Sequence, residues 1–95
     1  MKTGTTSNGF RFEFDEARAD DMRFVDLIVE ATDEEAEEFK KLSATSKMIE
    51  LLLGKEQKKA LYEHIGKQYD GRVPFAELEK ALTEIMQGGG DAVKN

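Results

Sequence analysis

Residues Leu51 to Met86 read LLLGKEQKKALYEHIGKQYDGRVPFAELEKALTEIM, and the punctuation in this run decides the fold. Gly54 can adopt the left-handed backbone that ends a helix, and Lys55-Glu56-Gln57-Lys58-Lys59-Ala60-Leu61 at once restarts one. Leu61 and Ile65 lie one turn apart with Tyr62 beside them, so this second helix has an apolar side. Gly66 near its end and Asp70-Gly71 beyond it stop it in a turn. Pro74 suits a first helical position, where no N–H partner is required, and opens a last helix with Phe75, Leu78, Leu82 and Ile85 on one face. Gly88-Gly89-Gly90 closes that helix.

Upstream, Phe24, Leu27, Ile28 and Ala31 fall at i, i+3, i+4 and i+7 behind a cap at Asp20 or Asp21, with Val25 and Val29 widening the stripe. Thr32 or Asp33 is the next plausible cap, and Glu34 and Glu35 would then suit the first turn. Phe39, Leu42, Ser46, Ile49 and Leu53 alternate three and four spacings, which allows one helix to run to Gly54. Ser43, Thr45 and Ser46 compete for backbone hydrogen bonds and mark where it would divide in two. Phe10-Arg11-Phe12-Glu13-Phe14 alternates strictly, a strand pattern with three phenylalanines on one face. No second strand of equal clarity follows, and a lone strand leaves its backbone groups unpaired. The expected fold is mostly α: a small bundle of about four helices preceded by one short N-terminal β-strand. Residues 1–9 are expected to be disordered, 10–87 to form a single helical domain, and 88–95 to be a flexible C-terminal tail. Phe24, Leu27, Ile28, Ile49, Leu52, Leu53, Leu61, Ile65, Phe75, Leu78, Leu82 and Ile85 are the expected core.

At 95 residues the chain can bury one modest core. The absence of cysteine removes disulfides, thiolate catalysis and thiolate metal sites, in keeping with a reducing compartment. No apolar run approaches the roughly 20 residues of a membrane span, and the polar start lacks the apolar segment of a signal peptide, so a cytoplasmic location is expected. Charge is unevenly placed. From Phe10 through Phe39 twelve acids face three arginines, a net of −9, whereas from Lys40 onward ten bases face eight acids, a net of +2. An acidic half would repel phosphate backbones and the other half carries no dense basic stripe, so no nucleic-acid partner is expected. The acidic half reads as a solvated face that aids solubility. Opposite-sign halves would also let copies associate head to tail.

The stretch Asp70-Gly71-Arg72-Val73-Pro74-Phe75-Ala76-Glu77 has an EF-hand look. With Gly71 as the loop glycine, Asp70, Val73 and Glu77 fit, but Gly66 and Gln68 fall where the first two acidic ligands belong. His64 is the single histidine, with no cysteine or second histidine to share a metal, and reads as a polar helix residue. No serine sits in a glycine-flanked elbow, adjacent acids such as Glu34 and Glu35 point apart on a helix, and Gly88-Gly89-Gly90 is not followed by a helix with lysine and Ser/Thr. No catalysis, metal or cofactor is expected. Phe10, Phe12 and Phe14 are the candidate partner-binding residues, being aromatic, outside the helical pattern, and on a strand without an evident mate.

The Leu51-Leu52-Leu53-Gly54 run with Lys55-Glu56-Gln57, the Asp70-Gly71-Arg72-Val73-Pro74 turn after Tyr62 and His64, and Gly9-Phe10-Arg11-Phe12-Glu13-Phe14-Asp15 before an acidic helix together resemble the small tail assembly chaperones of long-tailed bacteriophages and prophages. The likeness covers roughly Gly9 to Met86, in pattern more than identity; Ser43-Ala44-Thr45-Ser46 is more polar than that pattern. The resemblance implies a non-enzymatic protein of the bacterial host cytoplasm that coats the tape measure protein before the tail tube forms, with self-association into a homo-oligomer adding avidity. It also implies a longer form made by ribosomal frameshifting that recruits the tail tube protein. The codons of Gly88-Gly89-Gly90 or of Val93-Lys94-Asn95 could hold the slippery run. Read without the resemblance, the chain is a generic helical protein interaction module or, less readily, a degenerate EF-hand-like calcium-binding protein.

Overall fold

The computed structural model describes residues 1–88; the expected tail beyond Gly88 lies outside the described residues. Two strands, β1 (Lys2–Thr5) and β2 (Arg11–Phe14), precede three helices, α1 (Met22–Thr32), α2 (Glu38–Gln68) and α3 (Phe75–Met86), with one 3-10 turn at Glu16–Arg18. The molecule is therefore predominantly helical with a small antiparallel sheet at its start.

That sheet corrects the reading of the first nine residues as disordered and of Phe10–Phe14 as a lone strand. β1 pairs with β2 in the register Lys2 with Phe14, Thr3 with Glu13, Gly4 with Phe12 and Thr5 with Arg11. The connecting residues close on themselves. Thr6 N–H donates to the Phe10 carbonyl at 2.8 Å, Gly9 N–H to the Thr6 carbonyl at 2.9 Å, and Phe10 N–H to Thr6 Oγ1 at 3.1 Å. Gly9 takes φ 95°, a conformation open to glycine at little cost. β1 escaped a pattern reading because Lys-Thr-Gly-Thr carries no apolar alternation: its inward position opposite Phe12 is a glycine.

The count of about four helices is corrected to three. The break at Gly54 is present, with φ 87° and ψ 166°, but it occupies a single residue, so the two arms join without a loop. The bend is sharp. The Ser46 and Tyr62 hydroxyls lie 3.1 Å apart, whereas residues that distant along a straight helix would be separated by about 24 Å. Nor does α2 divide at its serines and threonine, since Thr45 Oγ1 donates to the Lys41 carbonyl at 3.1 Å and Ser46 meets Tyr62. α2 also starts later than a cap at Thr32 or Asp33 implies. Asp33 accepts from the Glu35 N–H at 2.9 Å, turning the chain before Glu37 leads into the helix.

α1 and α3 both pack on α2, and β2 lies against it as well. Ile49, Leu52, Leu61, Ile65 and Ile85 are fully buried at the centre, joined by Phe24, Met48, Leu53, Leu78, Ala81 and Leu82. Leu27 and Ile28 are half-buried against this cluster, and Phe75, expected inside, is exposed. Phe75 is the first residue of its helix, directly after Pro74, and lies at the end of the packed face.

Candidate interaction surfaces

Phe10, Phe12 and Phe14, the residues expected to contact a partner, are only 7%, 3% and 7% exposed. The pairing of β2 with β1 supplies the mate they lacked, and the alternation that put all three on one face turns that face into the core. Phe12 and Phe14 stack with ring centroids 6.2 Å apart, and Phe10 lies 5.9 Å from the His64 ring. They anchor the hairpin to the helices.

Polar contacts complete that attachment. The Gln57 side chain meets the outward edge of β2 as a neighbouring strand would: its Oε1 accepts from Glu13 N–H at 3.0 Å and its Nε2 donates to the Glu13 carbonyl at 2.7 Å. An edge peptide open to another chain is thereby occupied. At the hairpin tip, His64 Nε2 donates to the Asn8 carbonyl at 2.8 Å, and Ser7 N–H donates to Glu84 Oε1 at 2.8 Å. His64 is thus a structural tie between α2 and the hairpin.

The stretch with the EF-hand look forms a turn that leads into α3. Asp70 and Gly71 both take positive φ, Gly71 N–H donates to the Gly66 carbonyl at 2.7 Å, and Glu77 accepts from the Tyr69 hydroxyl at 2.9 Å. That hydrogen bond, with some desolvation and the nearby carboxylate charge, raises the Tyr69 pKa above its ordinary value. Among the described residues no three or more possible metal ligands come together.

The surface offers other apolar material. Met22, Val25 and Val29 are 68%, 43% and 63% exposed and recur at i, i+3 and i+7 of α1, so they form a stripe directed to solvent while Phe24 on the opposite side enters the core. α1 is held in place by its start. Asp21 accepts from Arg23 N–H at 2.8 Å and pairs with the Arg23 guanidinium at 2.7 Å, and these bonds, the side-chain one foremost, hold its carboxyl below its ordinary value. Asp26 beside the stripe gives it an acidic border. Sequence reading found Val25 and Val29 as a widening of the core face; their exposure depends on which side of α1 meets α2, a tertiary fact. Among the described residues no helix is long and apolar enough to cross a membrane.

No protein-family model matches the chain, and neither a curated protein nor a solved structure matches it.

Proposed function

We propose that the protein is a tail assembly chaperone of a long-tailed bacteriophage, acting without catalysis in the bacterial host cytoplasm by covering apolar helical stretches of the tape measure protein. The observation that carries this reading is the order of punctuation from Leu51 to Met86. A break at Gly54, a turn at Asp70-Gly71 and a helix start at Pro74 follow the pattern of that family, and the corresponding bend, turn and helix onset are features of this fold. The solvent-facing stripe of Met22, Val25 and Val29 is the surface we assign to the client. Fully burying an aliphatic side chain is worth about 1.5–3 kcal/mol before the losses of association, so one stripe holds a client weakly and several copies on one long client hold it firmly. A longer frameshifted form would carry the contact to the tail tube protein.

Co-expression tests the reading. The tape measure protein encoded beside this gene should remain soluble and co-purify with the wild-type chain, and the triple variant Met22→Ser, Val25→Ser, Val29→Ser should lose it while keeping its helical circular dichroism. A client that is retained equally by the triple variant removes the stripe from the mechanism. The absence of a long tape measure gene near this one would remove the chaperone reading itself.

A further inference from the structure

Residues 33–39 read Asp33-Glu34-Glu35-Ala36-Glu37-Glu38-Phe39, five acids without a base, all of them exposed, ending in a phenylalanine that is 75% exposed. Among the described residues none of the five acids is in an ion pair. This is an exposed acidic segment with an aromatic anchor, formed where α1 turns into α2.

Near the other end of α1 lies its chemical complement. An open concavity of about 450 Å³ is lined by Arg18, Arg23, Lys47, Glu50, Leu27 and Leu51. Glu50 is already paired with Lys58 at 3.1 Å, and the Arg23 guanidinium with Asp21 at 2.7 Å. Arg18 donates to the Leu51 carbonyl at 3.2 Å, and among the described residues neither Arg18 nor Lys47 is in an ion pair. A chain of net charge −6 therefore holds a concavity in which Arg18 and Lys47, unpaired among the described residues, stand over a floor of two half-buried leucines.

Within one molecule none of residues 33–39 lines the concavity. Residues 33–39 are tied at both ends into α1 and α2, and about 15 Å of helix separates Asp33 from Arg23, with Arg18 beyond the helix start. We propose that the acidic segment 33–39 of one copy docks into the Arg18, Arg23 and Lys47 concavity of a second copy, with Phe39 seated against Leu27 and Leu51. Guanidinium and ammonium groups facing carboxylates set the register and speed encounter, while the phenylalanine supplies apolar burial. Because plug and socket are different patches, the contact is heterologous: an open assembly ends in one free plug and one free socket, and a closed one is a ring. Arg23 and Leu27 lie on a different side of α1 from Met22, Val25 and Val29, so stacked copies leave that stripe open. The contact stands on these two surfaces alone and does not depend on the chaperone reading.

Sedimentation velocity with two exposed-site variants tests it. Wild-type protein should grow in size with concentration, less so at high salt, where the charged part of the contact is screened. Phe39→Ser, lacking the plug, and Lys47→Glu, with an inverted socket, should each be monomeric with wild-type melting curves. An equimolar mixture of the two should give a heterodimer and nothing larger, since Phe39→Ser still offers a socket and Lys47→Glu still offers a plug. Single variants that assemble like wild type, or a mixture that fails to pair, would overturn the proposal. So would a wild type that stays monomeric at every concentration; if inorganic phosphate then raised its melting temperature and Lys47→Glu abolished the rise, the concavity would belong to a small anion instead.

Discussion

At Gly4 an added β-carbon would lie against the Gly88 carbonyl oxygen, 2.7 Å from Phe12 Cζ and 3.0 Å from the Gly88 carbonyl carbon. Two of those neighbours are backbone, which cannot rotate away. Gly4→Ala should therefore destabilise the protein by about 1–3 kcal/mol, the usual cost of overpacking, as read by urea denaturation. A melting curve unchanged by that substitution would mean that β1 does not sit under the end of α3. Asp21 makes a second prediction, of opposite character, because it concerns charge. Its folded-state pKa lies below the ordinary 3.8 on account of Arg23, so its contribution is present above pH 3.8 and is lost as pH falls through the folded-state value. Asp21→Asn keeps an acceptor for the Arg23 N–H but removes the ion pair. The stability difference between wild type and this variant should be constant above pH 3.8 and shrink below it; a gap that widens on acidification would contradict the pairing.

Gln57 joins two elements through one side chain, since its amide pairs with the Glu13 peptide while Nε2 also donates to the Leu53 carbonyl at 3.0 Å. Gln57→Ala returns the Glu13 peptide to water. The net cost should be about 1 kcal/mol, a typical value for a hydrogen bond exchanged for water, and amide exchange at Glu13 should accelerate more than at Leu61 in the buried centre of α2. Equal acceleration at both would show global destabilisation in place of a loosened edge. Element identity was largely legible before the structure. The stripe at Phe24, Leu27, Ile28 and Ala31, the stop at Gly54 and the onset at Pro74 each depend on local stereochemistry or helical period, and each lies within a residue of its observed place. β1 was not legible, because a four-residue polar strand carries no period and acquires its conformation only by pairing with β2.

Across the whole molecule, the three hairpin phenylalanines belong to the same buried cluster as Leu61, Ile65 and Ile85. The hairpin and the helices should therefore unfold together. Phe12→Ala should cost about 3–5 kcal/mol and shift the far-ultraviolet helical signal and the amide NMR signals of β2 to the same lower denaturant midpoint. Separate midpoints would mean that the hairpin is an independent flap. The candidate interaction residues moved for the same reason. Phe10, Phe12 and Phe14 were singled out because a strand without a mate leaves its aromatics for a partner; once β1 supplies the mate, their shared face becomes interior, and the large apolar side chains exposed among the described residues are instead Met1, Met22, Val25, Val29, Phe39, Phe75 and Met86. The amino-acid sequence by itself determined the helical periods, the glycine and proline punctuation and the division of charge, since these follow from backbone stereochemistry and composition within a few residues of each site. Only the tertiary structure decided that residues 2–5 form a strand, that α2 folds back at Gly54, and which side of each amphipathic stretch meets water, because those outcomes depend on contacts between residues far apart in the chain.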